Sequence, residues 1–338
     1  MTTEAPPRRH AMAVRARPTM EDVAREVGVS TITVSRALRG DALVRSETRE
    51  RVVEAAKRLG YRFNMPARNL RLNRSRTVSV VMEMATLPSG ALADPYPLEL
   101  LRGISQELTA AGYNLLLANL EDLDAPAVQA AEGGILLGQG ADDSALHVIA
   151  DSPVPWVVWG VDRPDHDHPT VGTDNTQGGE LAAERFSALG RRRAVFLGDT
   201  HHAELAARAE GLMRGMERVG GAVVGQAACG FTFEGGVRAI DRLIDEGMAF
   251  DAVFAASDLI AMGAVFALYA HGRRAPQDVS VIGYDDTQAG ATYVPPLTSV
   301  RQDWRQGGGL LAKTVVDLIE GREARSAMLP ASLTIRST

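Results

Sequence analysis

The stretch VGVSTITVSRALRG, residues 27–40, decides the fold of the N-terminal part of the chain. Its central residues are β-branched, which on propensity alone favours a strand. Gly28, however, is typical of a helix C-terminus, and Ser30 is a typical N-cap. After Ser30 the apolar residues, beginning with Val34 and ending with Leu38, recur at a spacing of three to four. The pattern therefore predicts a tight turn and then a short helix with one face free.

Two further helical patterns flank this stretch. Residues 19–28 place apolar side chains at helical spacing behind two acidic residues, which suit the first turn of a helix. Ser46 can cap another helix over residues 47–59, and Gly60 ends it. Three short helices on one small core are typical of the helix-turn-helix module, whose second helix enters the DNA major groove. We expect a small all-α DNA-binding domain over residues 19–63.

The free face of the second predicted helix has the chemistry of a DNA reader. Thr31 and Ile32 can contact thymine methyl groups or polar base edges, and Arg36 can reach O6 and N7 of guanine. Thr33 and Ser35 suit phosphate groups near the helix N-terminus. Because these side chains are mostly short, the helix can approach the bases closely, which accounts for β-branched residues in a helix.

A basic segment, residues 64–76, follows the three helices and is predicted to be a hinge helix or linker. Arg68 is one of several arginines there that can contact DNA. Leu70 lies among them without a strong apolar partner at helical spacing. It is either a packing contact to the rest of the chain or a wedge for the DNA minor groove. Residues 1–18, rich in Pro, Arg and Ala, are expected to form a disordered basic arm.

Charge is distributed unevenly along the 338 residues. Residues 1–76 contain 17 Lys and Arg against 8 Asp and Glu, a net charge of +9, whereas the rest carries 19 against 34, a net of −15. A basic head on an acidic body indicates that only the head meets a polyanion.

Composition narrows the class of protein further. The single cysteine, Cys229, excludes an internal disulfide, and no apolar run is long enough to span a bilayer. The N-terminus lacks the apolar core of a secretory signal. We expect a cytoplasmic protein without a membrane partner.

The body, residues 77–338, alternates short apolar strands with amphipathic helices, which predicts an α/β fold with parallel sheets covered on both faces. Eight strands are expected, at residues 77–83, 113–119, 133–138, 155–160, 194–199, 222–228, 251–257 and 279–286. Two such Rossmann-like sheets side by side leave a cleft at the carboxyl ends of their strands, where ligands bind.

The motifs MEDVAREVGVSTITVSRALRG (20–40) and TRERVVEAAKRLGY (48–61) closely resemble the head of the LacI/GalR family of bacterial transcription regulators. The body motifs ASDLIAMGA (256–264), VIGYDDT (281–287) and VPPLTSVRQDW (294–304) resemble the family's effector domain, which shares the fold of type I periplasmic sugar-binding proteins. The resemblance implies a homodimer on a palindromic operator, with Thr31, Ile32 and Arg36 reading bases and Leu70 inserted at the centre. Its body would divide into an N-subdomain (77–170 and 302–327) and a C-subdomain (171–301 and 328–338).

The resemblance also implies an effector, a small carbohydrate, in the cleft. By position, Asp285 matches an aspartate that accepts from sugar hydroxyls, Arg208 an arginine that donates to the effector, and Trp304 an aromatic that stacks on the sugar. The further cleft positions are Ser257, Phe231 and Tyr96. Trp159 is interpreted equally as a cleft or a core residue. Between residues 120 and 134 the chain is shorter than is usual in the family.

Other interpretations remain open. A nucleobase or a partner protein could act as co-effector in place of an inducing sugar. A sugar-binding transport protein has the same body, but the basic head and the missing signal argue against it. The sequence offers no catalytic constellation for a sugar-processing enzyme, and no cofactor is expected. The histidines of 166–168 and 201–202 lack the spacing of a metal site.

Overall fold

Three helices form the described part of the first unit, which extends to Arg74. They are α1 (Met20–Val27), α2 (Thr31–Leu38) and α3 (Ser46–Leu59). The computed structural model describes residues 18–38, 40–61, 74–82, 95–139, 144–164 and 166–338. The predicted arm and most of the predicted hinge therefore lie outside the described residues.

Local capping produces the turn between α1 and α2. Thr19 caps α1 through a reciprocal capping box with Asp22, and α1 ends at Gly28 with φ 72°. The Ser30 hydroxyl accepts a hydrogen bond from the Thr33 amide at 3.1 Å, as predicted for an N-cap. Val34 is fully buried against the core of α1 and α3. Capping and tertiary packing thus override the strand propensity of the β-branched residues.

The second unit, Ser75–Thr338, contains two six-stranded sheets among its described residues. The first sheet has the order β11-β5-β4-β3-β1-β2 and is parallel throughout. Its strands, in chain order, are β1 (Thr77–Met82), β2 (Asn114–Asn119), β3 (Gly133–Leu137), β4 (Trp156–Trp159), β5 (Thr170–Thr173) and β11 (Ala327–Leu329).

The second sheet has the order β12-β10-β9-β8-β6-β7, and only the pair of β10 and β12 is antiparallel. Its strands are β6 (Arg193–Leu197), β7 (Ala222–Ala227), β8 (Ala252–Ala255), β9 (Ser280–Tyr284), β10 (Thr298–Arg301) and β12 (Ser332–Thr334).

Helices alternate with these strands. In chain order the described helices of this unit are α4 (Pro95–Ala110), α5 (Pro126–Gln129), α6 (Ser144–Ala150), α7 (Asn175–Ala188), α8 (Ala203–Arg218), α9 (Phe233–Asp245), α10 (Asp258–Ala270), α11 (Gln288–Thr292) and α12 (Trp304–Ile319). A 3₁₀ turn at Leu120–Asp122 and the four-residue α5 occupy the segment that the sequence indicated to be short. None of the described helices is long and apolar enough to cross a bilayer.

The chain passes between the two sheets three times: after β5, after β10 and after β11. The subdomain boundaries expected at residues 171 and 328 fall inside β5 and β11, so the chain leaves the first sheet two to three residues later than expected. The eight predicted strands are all present near their expected positions. The four strands that were not predicted, β5, β10, β11 and β12, are the short ones beside the crossovers.

Glycines bring α4 and α12 into close contact. A Cβ on Gly308 would collide with the carbonyl oxygen of Leu100 and lie 3.1 Å from the amide nitrogen of Ile104. Gly103 has the same relation to the backbone of α12. Since the two backbones meet without side chains between them, neither helix can shift without losing packing.

We expect Gly308→Ala to destabilise the second unit by about 1–3 kcal/mol, because the added methyl forces two backbones apart. Gly309→Ala is a matched control: its Cβ would have only Glu107 Cγ at 3.5 Å, and alanine gains up to about 1 kcal/mol over glycine in a helix. Urea unfolding followed by tryptophan fluorescence measures both, since all three tryptophans lie in this unit. Equal stability of the two variants would contradict this account of the helix contact.

Candidate functional site

The outer face of α2 carries the predicted DNA-reading residues. Thr31, Ile32 and Arg36 are exposed, and Ile32 is 64% exposed although it is apolar. Thr33 and Ser35 are half-buried, and the Thr33 hydroxyl shares a hydrogen bond with that of Ser30 at 2.9 Å.

An exposed isoleucine is not needed for folding, so this face is available for an apolar contact such as a thymine methyl. Arg68 and Leu70, the two candidates in the predicted hinge, lie outside the described residues.

In the second unit, Arg208 on α8 is the most constrained predicted effector residue. Its Nε donates to Asn175 Oδ1 at 2.8 Å and its Nη1 to the carbonyl oxygen of Ala256 at 2.6 Å. The guanidinium stacks on the Tyr284 ring, 3.6 Å from the centroid. Arg208 is only 6% exposed. A guanidinium held in this way is a rigid cationic donor.

Tyr284 completes this network. Its hydroxyl donates to Asn175 Oδ1 at 3.1 Å, so this amide oxygen accepts hydrogen bonds from both Tyr284 and Arg208. Burial raises the pKa of Tyr284 to about 12, which keeps the hydroxyl a neutral donor. Tyr284 is the last residue of β9, and Asp285 follows it directly.

Asp285 lies in a constrained turn. Its φ is 107° and that of Asp286 is 53°, which are unfavourable values for residues with a Cβ. The Asp285 amide donates to the Val300 carbonyl at 2.7 Å, and its Oδ1 accepts from Gln302 Nε2 at 2.9 Å. Gln302 is buried in the second crossover, between β10 and α12. The carboxylate expected to bind the effector therefore already has a partner in the crossover.

Asp258, the first residue of α10, forms hydrogen bonds with the residues that follow this turn and with β10. Its Oδ2 accepts from the Thr287 amide at 2.7 Å and the Thr287 hydroxyl at 2.8 Å, and its Oδ1 accepts from the Ser299 hydroxyl at 2.6 Å. The residue is 1% exposed, and burial raises its pKa to about 6 although these hydrogen bonds oppose the shift. Asp258 thus joins Thr287, two residues beyond Asp285, to Ser299 of β10.

Trp304 and Tyr96 supply the aromatic side of the site. Their ring centroids are 5.8 Å apart in an edge-to-face arrangement. Trp304 is 7% exposed, and its indole Nε1 is one of the buried polar atoms without a hydrogen-bond partner in the described part of the chain. A buried N–H without an acceptor is costly, and a ligand oxygen would satisfy it.

The two remaining candidates are placed less directly. The Ser257 hydroxyl caps α10 by accepting from the Ile260 amide at 3.3 Å, so part of its hydrogen-bonding capacity is used. Phe231 is half-buried, with its ring 6.1 Å from that of His202, the N-cap of α8. Trp159 packs in the core of the first sheet, against Gly307.

Contacts link most of the predicted effector residues into one group. Arg208 bonds to Ala256, which precedes Ser257, and stacks on Tyr284, which precedes Asp285. Asp285 in turn bonds to Gln302, two residues before Trp304. Sequence reasoning did not single out Asn175, Tyr284, Gln302 or Asp258. The sequence feature that could have identified some of them is a polar residue at or just after the end of a buried strand, as in VGTDN (171–175) and GYDDT (283–287).

Charge at the site is mixed. Glu204, one turn before Arg208 on α8, is half-buried, and burial raises its pKa against the opposing charges of Arg208, His202 and Arg163. No group of three or more His, Cys, Asp or Glu that could hold a metal ion occurs within the described residues. The site therefore combines two carboxyl groups with one constrained guanidinium and aromatic rings.

The raised pKa of Asp258 predicts a pH dependence. Because its pKa lies at about 6 rather than 3.8, the stability that this group contributes is fully present below pH 3.8 and is lost as the pH rises through 6. We expect the stability of the wild type relative to Asp258→Asn to fall by on the order of 2 kcal/mol between pH 4 and 7.

Urea unfolding at several pH values, followed by tryptophan fluorescence, measures this difference. Asp245→Asn is the control, since Asp245 is an exposed residue at the end of α9. A stability difference for Asp258→Asn that stays constant over this range would contradict the account.

Two family models match the chain. Residues 19–64 match the model described as bacterial regulatory proteins, lacI family, and residues 183–338 match a periplasmic binding protein-like domain. Among curated proteins, the HTH-type transcriptional regulator CelR of Thermobifida fusca is 34% identical, covering 94% of this chain and 96% of its own length. The ribose operon repressor of Escherichia coli (strain K12) is 31% identical, covering 89% and 93%.

Solved structures give the same result. A transcriptional regulator CelR–cellobiose complex aligns with a TM-score of 0.73 at 32% identity, covering 95% of this chain and 99% of that one. The lac repressor dimer bound to operator and the anti-inducer ONPF aligns with a TM-score of 0.85 at 26% identity, covering 96% and 99%. These relatives are transcriptional regulators and not enzymes. On this evidence the chain belongs to the LacI family of bacterial transcriptional regulators.

Proposed function

We propose that this regulator is a repressor that binds a palindromic operator as a homodimer and releases it when a small uncharged saccharide occupies the site around Arg208 and Asp285. The observation that carries the proposal is the constrained pair of donor and acceptor, with Arg208 stacked on Tyr284 and Asp285 beside it, next to a buried indole N–H. Saccharide sites combine such charged hydrogen-bonding groups with flat aromatic faces.

An exposed apolar groove on the C-subdomain supports dimerisation. Phe266 is 52% exposed, Tyr269 75% and Val294 85%, and they line a groove of about 370 Å³ with Tyr293. Contiguous exposed apolar residues of this kind mark interaction sites. A second copy of the chain is the occupant that we propose, because a palindromic site requires two heads related by a two-fold axis. The lac repressor, which has the same fold, forms a dimer on its operator.

We expect Tyr269→Asp to convert the dimer into a monomer, because it places a charge in the apolar contact. Met213→Asp is the matched control, since Met213 is an exposed apolar residue on α8, outside the groove. Sedimentation velocity gives the mass of each, and operator affinity should fall only for Tyr269→Asp. A monomeric wild type, or an unchanged dimer in Tyr269→Asp, would refute this interface.

The charges of the site favour an uncharged effector. Asp285 provides a carboxylate, which accepts from hydroxyl groups but repels a phosphate. The Nε and Nη1 atoms of Arg208 are already bonded within the protein. The structure of CelR was obtained with cellobiose, so cellobiose is the first saccharide to test.

Gln302 offers a route from the site to the rest of the domain. An effector hydroxyl that bonds to Asp285 shares the carboxylate with Gln302, which lies in a crossover between the two sheets. Binding can therefore bias the relative position of the two subdomains, and an effector acts only through such a difference in affinity for the two states.

We expect Asp285→Ala to bind operator like the wild type but to respond to the effector only at concentrations about 5- to 150-fold higher, because a lost hydrogen-bond partner costs about 1–3 kcal/mol. Fluorescence anisotropy of labelled operator, titrated with cellobiose and other mono- and disaccharides, measures the response. Asp245, an exposed residue at the end of α9, provides the control Asp245→Ala.

An unchanged response of Asp285→Ala would place the effector elsewhere. If a nucleobase tightens operator binding and no saccharide changes it, the result would favour a co-repressor in place of an inducing sugar.

A further inference from the structure

Asp41, in the turn after α2, lies beside the predicted base reader Arg36. Its Oδ2 is 3.9 Å from Arg36 Nε. The side chains of Arg36 and Asp41 are 48% and 32% exposed, so both stand at the solvent side of the head. Asp41 is thus an acidic group close to the surface that is expected to meet DNA.

The turn holds the Asp41 carboxylate in place. Its Oδ1 accepts from the Leu43 amide at 3.0 Å, and its own amide donates to the Arg36 carbonyl at 3.1 Å. The Asp41 carbonyl oxygen accepts from the Val44 amide at 3.1 Å and from Arg49 Nη2 at 2.8 Å. These bonds constrain both the backbone and the side chain of Asp41, whereas Arg36 has a long side chain with many rotamers.

An acidic group here has an electrostatic cost. DNA binding depends on neutralising phosphates, and a carboxylate near the recognition helix opposes it. Its position beside Nε suggests a compensating gain. At 3.9 Å the carboxylate attracts the guanidinium electrostatically from its Nε side. The two Nη groups of Arg36 then remain available for O6 and N7 of one guanine, the bidentate contact that gives most discrimination.

We propose that Asp41 is a positioning residue for Arg36, which holds the guanidinium ready for a guanine and so sharpens base selection at one position in each half-site. This inference rests on the proposed function, in which Arg36 reads a base. Asp41 does not touch the DNA base in this account. It acts by reducing the conformational freedom that Arg36 loses on binding.

The test uses the full chain and a double-stranded DNA library randomised over the half-site, with wild-type selection defining the preferred sequence. Asp41→Asn keeps an oxygen acceptor for the Leu43 amide but directs an amide donor toward Arg36. Glu26→Gln is the matched control, because Glu26 pairs with Arg58 at 2.8 Å on the exposed side of the head and its loss changes the net charge equally. Arg36→Ala and the double variant complete the set.

We expect Asp41→Asn to reduce the preference for the base pair read by Arg36 by about 2- to 12-fold, the cost of ordering one flexible side chain. Preferences at other positions should match those of Glu26→Gln, which only strengthens binding to all DNAs. In the Arg36→Ala background, Asp41→Asn should no longer change any base preference.

Three results are informative in different ways. If Asp41→Asn changes affinity for all sequences equally, as Glu26→Gln does, Asp41 contributes only charge and the inference is wrong. The same holds if its effect on base preference persists without Arg36. If instead Arg36→Ala leaves the wild-type preference intact, Arg36 is not a base reader, and the underlying assignment fails.

Discussion

The proposed effector site depends on one buried cation, the guanidinium of Arg208. Removing a guanidinium from water is costly, and the cost is offset only if the surrounding groups bond to it with good geometry. Here Asn175, the Ala256 carbonyl and the Tyr284 ring supply those contacts. They come from the ends of three strands of the two sheets, so Arg208 joins the first crossover to the body of the second sheet. Because Asp285 directly follows Tyr284 in the chain, the fixed position of Tyr284 also fixes the position of the Asp285 backbone.

The three crossovers are connected to each other and to this site. The Asp174 amide donates to the Leu329 carbonyl at 2.8 Å, and Gln177 Oε1 accepts from the Ala331 amide at 2.7 Å, which joins the first crossover to the third. Gln302, in the second, bonds to Asp285. A ligand that bonds to Asp285 beside Gln302 therefore acts on a segment through which the subdomains are joined. This connection is the physical basis for the proposed coupling of effector and operator.

The helices of the head could be predicted because their signals are local. Ser30 and Gly28 set the ends of the helices around the turn, and the spacing of Val34 outweighs β-branched propensity. Strands such as β5 and β12 were not predicted, since three or four residues carry too little alternation and their pairing is with distant segments. In the site, Asp285, Arg208 and Trp304 were reached through family resemblance, not through spacing.

The contacts of Asn175 and Gln302 could not be predicted from the sequence. They join residues that are far apart in the chain, and their partners depend on the register of two separate sheets. The Asp41–Arg36 contact is local, but it needs the geometry of a turn that composition does not specify. Sequence patterns therefore indicate which elements form, while the pairing of polar side chains across elements follows only from the assembled fold.

The central claim is that effector and operator binding share one coupling free energy. The direct measurement is a pair of titrations on the wild-type chain: operator affinity at saturating saccharide, and saccharide affinity at saturating operator, with tryptophan emission reporting the saccharide. The account predicts that each ligand weakens the other by the same factor, about 5- to 150-fold, as thermodynamic linkage requires. A saccharide that binds and changes the tryptophan emission while operator affinity stays unchanged would contradict it.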